Sequence, residues 1–151
     1  MSVAALALSA GAAWTQPAAV AYCDDLKQII LLSASREKFA SIAAKPRDGN
    51  FSDTTLPLRG WKDCSVYGPR TYTCDSDAVK TADEAEKAQA SIVQDIKTCL
   101  QNTWTEDHAR SSSGYVVLHH PIGFVSMTVS TDEEKNGQHV VRLIIFFRGN
   151  S

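Results

Sequence analysis

Four cysteines constrain this chain more than any other feature: Cys23, Cys64, Cys74 and Cys99. Two of them frame the stretch WKDCSVYGPRTYTC and stand ten residues apart around Gly68-Pro69. A structural zinc site brings cysteines roughly two to four residues apart or adds nearby histidines. A redox motif uses C-x-x-C. Neither spacing occurs here. A hairpin centred on Pro69 sets residue 64 opposite residue 74, and opposed side chains on one face are close enough to bridge. That leaves Cys23, which opens the first expected helix, and Cys99, which closes the second. Antiparallel helices bring those ends together. The expected pairs are therefore Cys64–Cys74 and Cys23–Cys99. An even cysteine count in a small exported chain favours disulfides over free thiols.

Export is read from the first residues. Residues 1–21 carry no acidic or basic side chain, run apolar from Val3 to Ala13, and end in Ala19-Val20-Ala21, an A-x-A cleavage pattern. The basic residue expected near the start of such a leader is missing. Gln16 and Pro17 make the apolar run too short to span a bilayer comfortably. The expectation is a signal peptide over 1–21 and one exported domain over 22–151, periplasmic or secreted. Stable membrane insertion is not expected after cleavage.

Within 22–151 the periodicities alternate. Asp24–Ala44 predicts a helix, with Ile29, Leu32, Phe39 and Ile42 on one face and Pro46 as its stop. RDGN then turns. Thr54–Val66 reads as extended, and Thr71–Cys74 as its hairpin partner. Alternation puts Cys64, Val66, Tyr72 and Cys74 on one side and Asp63, Ser65, Thr71 and Thr73 on the other. Ser76–Trp104 predicts a second helix, with Ser76, Asp77 or the Thr81–Glu84 capping box at its start. Three further strands are expected at Tyr115–His119, Ile122–Ser130 and Gln138–Arg148, the last two joined at Asn136-Gly137. The fold class is α+β: two helices packed on one face of an antiparallel sheet of about five strands, in the order α-β-β-α-β-β-β.

The chemistry-bearing motifs are weak. Net charge is −2 and no block of five like charges occurs, so a nucleic-acid footprint is absent. Ser35 and Lys38 match S-x-x-K but lack the S-D-N and K-T-G partners that motif needs. His119 and His120 are adjacent on an expected strand and point to opposite faces, which disfavours one shared metal. Asp24/Asp25 and Glu133/Glu134 occupy cap and turn positions. No catalytic set, metal site or cofactor is expected.

The last strand is more informative. Val140–Phe147 has one polar residue, Arg142, in eight. A strand exposed on one face would alternate, so both faces require cover. Val141, Leu143, Ile145 and Phe147 are expected under the helices. Arg142, Ile144 and Phe146 then face the other way, toward the 45–60 loop, a second subunit or a partner. With Trp61 and Tyr67 they form the candidate interaction surface, for a protein partner or a homodimer.

The pieces LRGWKDCSVY, RTYTC, KTCL and the closing hairpin resemble a loose set of small exported bacterial proteins of unknown function. Those share the Gly-Trp-x-x-Cys, Tyr-x-Cys and later Cys spacing. The resemblance spans roughly Cys23 to Phe147. Its motifs are structural and imply no activity or site. The helix-and-sheet order is also similar to secretion-chaperone folds, by architecture alone. The function expected is an exported, non-enzymatic binding or interaction protein, such as a chaperone, inhibitor or immunity protein. The alternatives are a small hydrolase with an unrecognised site and a structural envelope component.

Overall fold

The computed structural model describes residues 20–149. The expected signal peptide, apart from its last two residues, lies outside them. The chain runs α1 (Cys23–Ser33), a 3₁₀ turn (Lys38–Ile42), β1 (Ala43–Pro46), β2 (Phe51–Thr54), β3 (Asp63–Tyr67), β4 (Thr71–Asp75), α2 (Ala82–Cys99), β5 (Thr105–Glu106), β6 (Tyr115–His119), β7 (Val125–Glu133) and β8 (His139–Phe147). All eight strands form one antiparallel sheet in the order β1-β2-β3-β4-β8-β7-β6-β5. The expectation of two helices packed on one face of a sheet of about five strands, in the order α-β-β-α-β-β-β, does not hold: the fold is a single eight-stranded antiparallel sheet with two helices.

The corrections have local causes. The expected helix over 24–44 stops at Ser33. There the Ser33 and Ser35 hydroxyls donate to the carbonyls of Ile30 and Leu32, at 2.5 and 2.7 Å, a competition that weakens helices at such residues. Lys38 takes a positive φ of 49°, and the chain reverses. Phe39 and Ile42 are still buried, so the apolar spacing was real while the helix was not continuous. The 45–60 segment does not cover the Arg142 face: its later part packs on the opposite, core face, where Leu58 is buried and the Leu56 carbonyl accepts from the Tyr72 hydroxyl at 2.8 Å. Its earlier part makes the β1–β2 hairpin at the sheet's edge. These strands are short and mostly exposed, so no alternation marked them. β5 has two residues and is below any sequence signal. The second helix begins at Ala82, later than Ser76. Thr81 Oγ1 accepts from the Glu84 amide and the Glu84 carboxylate accepts from the Thr81 amide, which completes the capping box.

α2 buries Ala85, Gln89, Val93, Ile96 and Cys99, the three-four spacing of one helical face. Gln89 enters the core because its amide donates to the Val129 carbonyl at 3.1 Å. Leu26 and Ile29 of α1, Val93 and Ile96 of α2, Val66 and Tyr72 of the hairpin, and Val141, Leu143 and Ile145 of β8 share one core. Each of those side chains is no more than 7% exposed.

Both disulfides are present. Cys64 pairs in register with Cys74, with Cα atoms 4.0 Å apart, and Cys23 meets Cys99 across the helix ends at 5.6 Å. Loop-closure entropy grows with the residues enclosed, here 76 against 10. Replacing Cys23 and Cys99 by serine is expected to cost about 4 kcal/mol, and the Cys64/Cys74 replacement about 3 kcal/mol. Denaturant unfolding of the two double variants checks that order.

Tyr22 packs edge-on against Trp61 at 5.8 Å. Its hydroxyl is buried and has no hydrogen-bond partner among the described residues. Burial, with the Asp95 charge second, pushes its pKa up to about 12. Tyr22→Phe removes the unpaired group and is expected to raise stability by about 1 kcal/mol, read as a higher thermal midpoint.

Candidate functional site

The strand that forms the core on one face forms a groove on the other. β8 presents Arg142, Ile144 and Phe146 there, opposite Asp75, Thr73 and Thr71 of β4. β3 adds Asp63, Ser65 and Tyr67, and β2 adds Phe51 opposite Tyr67. The resulting cavity has a volume of about 400 Å³ and is also lined by Arg47. The β1–β2 hairpin thus extends this face sideways instead of covering it.

The groove has two chemically different ends. At one, Arg142 makes a two-pronged pair with Asp75, Nε to Oδ1 at 2.7 Å and a terminal nitrogen to Oδ2 at 2.8 Å, and reaches Asp132 at 3.3 Å. Arg47 pairs with Asp53 and, at 2.8 Å, with Asp63. The Asp75 hydrogen bond, opposed by burial, holds the Arg142 guanidinium above its ordinary pKa. The hydrogen bonds that Arg47 donates to Asp53 and then Asp63 do the same for it. Asp63 and Asp75 line the groove with the two arginines, and Asp53 and Asp132 reach those arginines from outside the lining, so each guanidinium is shared by two carboxylates. At the other end Phe51 and Tyr67 pack with ring centroids 4.8 Å apart, and both remain largely exposed at 40% and 45%. Ile144 lies on the floor between them.

Of the candidate surface residues, Tyr67, Arg142 and Ile144 line this groove. Phe146 shares the face but sits further along β8, under the Arg148 guanidinium at 5.7 Å. Trp61 is elsewhere, half-buried against the core beside Tyr22.

A second constellation had no sequence signal. His119 Nε2 lies 3.0 Å from Asp107 Oδ2, and its Nδ1 lies 2.9 Å from Ser126 Oγ. A carboxylate only accepts, so the hydrogen between His119 and Asp107 sits on Nε2, while Nδ1 and the Ser126 hydroxyl share the second hydrogen bond. Ser126 is fully buried, so its oxygen is shielded from solvent and from any substrate carbonyl. The array ties the segment after β5 to the sheet: Asp107 N–H donates to the Val117 carbonyl at 2.9 Å, and Val117 N–H to Ser111 Oγ at 3.0 Å. Three residues from separate segments meet only through strand register, which spacing alone could not reveal. Among the described residues no cluster of three or more His, Cys, Asp or Glu side chains could hold a metal ion.

The chain matches no family model, no curated protein and no solved structure.

The His119 hydrogen bond first, with Arg110 contributing, holds the Asp107 carboxyl below its usual range. A depressed folded pKa gives stability that is complete above the unfolded value and lost as pH falls through the folded one. The tie should therefore persist to about pH 4 and loosen below it. Amide exchange at Asp107 and Val117 is expected to accelerate there, and Asp107→Asn to remove that acid dependence.

Proposed function

We propose that the protein is an exported, non-enzymatic binding protein whose groove on the Arg142 face takes a protein segment combining a basic side chain with a neighbouring apolar one. The carrying observation is the groove's division into an aspartate-rich end and an aromatic end on a single rigid sheet face. A cation is favoured beside the excess carboxylates. An aliphatic or aromatic side chain is favoured against Phe51, Tyr67 and Ile144, where apolar anchors concentrate binding energy. Both arginines are already paired, so they position carboxylates more than they attract an anion. Two disulfides suit an oxidising compartment, periplasmic or extracellular. No described helix is long and apolar enough to cross a membrane. A hydrolytic reading has less support, because the Ser126 hydroxyl beside His119 is buried.

Selection from a random peptide library tests this reading. Enriched peptides should carry Lys or Arg next to a bulky apolar residue. Tyr67→Ala and Ile144→Ser should each weaken the best peptide by up to about 2 kcal/mol with little change in thermal midpoint. Enrichment of acidic peptides, or equal binding to both variants, would defeat the proposal.

A further inference from the structure

One end of the sheet concentrates positive charge that has no carboxylate partner among the described residues around exposed apolar side chains. The β3–β4 turn (68–70), the β6–β7 turn (120–124) and the residues after β8 meet there. Phe147 N–H donates to the Arg70 carbonyl at 3.1 Å, and Arg148 N–H to the Phe124 carbonyl at 2.7 Å. The segment before the 3₁₀ turn joins them: Phe39 N–H donates to the Pro69 carbonyl at 3.0 Å, and Lys38 Nζ sits 4.4 Å over the Phe147 ring. We propose that this end is a docking face for an anionic lipid surface.

The charge distribution carries the argument. The chain has seven arginines. Arg47, Arg59, Arg110 and Arg142 are paired with carboxylates. Of the three with no carboxylate partner among the described residues, Arg70 and Arg148 belong to this end, and Arg36 stands two residues before Lys38 in the segment that joins it. Lys38 is with them, and the acids in these segments are Glu37 and Asp48, the latter in the β1–β2 turn that meets Gly68. The opposite end is acidic. The bridge between Val79 and His139 brings the start of α2, with Asp77, Asp83 and Glu84, beside the β7–β8 turn with Glu133 and Glu134. A chain of net charge −2 is thus polarised along its strands, which orients it in the field of a negative surface.

The apolar component lies at the same end. Ile122 is 69% exposed and Phe124 41%, on a turn that reaches past the strands. Phe51 and Tyr67 lie beside the adjoining turn, since Gly68 N–H donates to the Asn50 carbonyl at 3.1 Å. Aromatic side chains ringed by cations suit the headgroup level of a bilayer, where the rings sit in the interface and the cations meet lipid phosphates. The combination describes peripheral binding with no spanning segment. Phe51 and Tyr67 also line the groove, whereas Arg70, Arg148, Ile122 and Phe124 do not, so those four separate the lipid face from the groove.

Co-sedimentation of the oxidised protein, as isolated from the producing cells, with phosphatidylcholine vesicles containing phosphatidylglycerol tests the proposal. Binding should exceed that to pure phosphatidylcholine and fall as salt is added. Arg70→Glu with Arg148→Glu should lower the partition coefficient by at least about tenfold. Ile122→Ser with Phe124→Ser should also lower it. Lys80→Glu with Lys135→Glu, at the opposite end, should not. Circular dichroism and thermal midpoints verify folding, and Arg36→Glu serves as a second charge reversal if the Arg70 variant is unstable. No preference for anionic vesicles would overturn the proposal. So would equal loss from both pairs of charge reversals, or binding to a soluble polyanion such as heparin without binding to vesicles.

Discussion

The structure depends on β8 being asked to do two things at once. It is hydrogen-bonded on both sides, to β4 and β7, and so joins the four N-terminal strands to the three from the second half of the chain. Its Val141, Leu143 and Ile145 are buried in the main core, where each large aliphatic contributes about 1.5–3 kcal/mol. Its other face cannot alternate into plain polar residues, because Ile144 and Phe146 stand beside Arg142. Arg142 is tolerated there only because Asp75 and Asp132 surround it. The groove follows from that compromise: a face neither closed by a second layer nor fully hydrophilic.

The disulfides divide the remaining structural work. The Cys64–Cys74 bridge staples neighbouring strands already in register and closes a short loop. The Cys23–Cys99 bridge joins the start of α1 to the end of α2 across most of the chain. α1 is short and ends in serine-mediated turns, so its position rests heavily on Leu26, Ile29 and that bridge. The Cys64–Cys74 bridge lies on the reverse face of the two strands that carry Asp63, Ser65, Thr73 and Asp75 of the groove.

Two polar arrays illustrate why a similar inventory of residues leads to different readings. Asp107, His119 and Ser126 form a linked series with the hydroxyl fully buried, and their effect is to fix a segment on the sheet. Arg47, Arg142 and their aspartates form a comparable network that is partly open to solvent and borders a cavity. Exposure and the shape of the adjoining space, more than residue type, decide which array can meet a ligand.

The sequence by itself determined what depends on short-range pattern. The ten-residue spacing around Gly68-Pro69 set the Cys64–Cys74 register, the Thr81–Glu84 box started α2, and the three-four stripe from Ala85 to Cys99 chose its buried face. The lack of a charged member picked Val141, Leu143, Ile145 and Phe147 as the core set of β8; the first three are buried, and Phe147 is half-buried against that core. Only the tertiary structure decided the rest. Apolar spacing at 29, 32, 39 and 42 fits a continuous helix as well as a helix broken before a 3₁₀ turn, and the chain reversal at Lys38 chose the second. β1, β2 and β5 are strands because a neighbouring edge offers hydrogen bonds, a cause their own residues do not encode. The groove, the His119 tie and the basic end each assemble residues far apart in the chain. Their juxtaposition is fixed by sheet order, which local periodicity leaves undetermined.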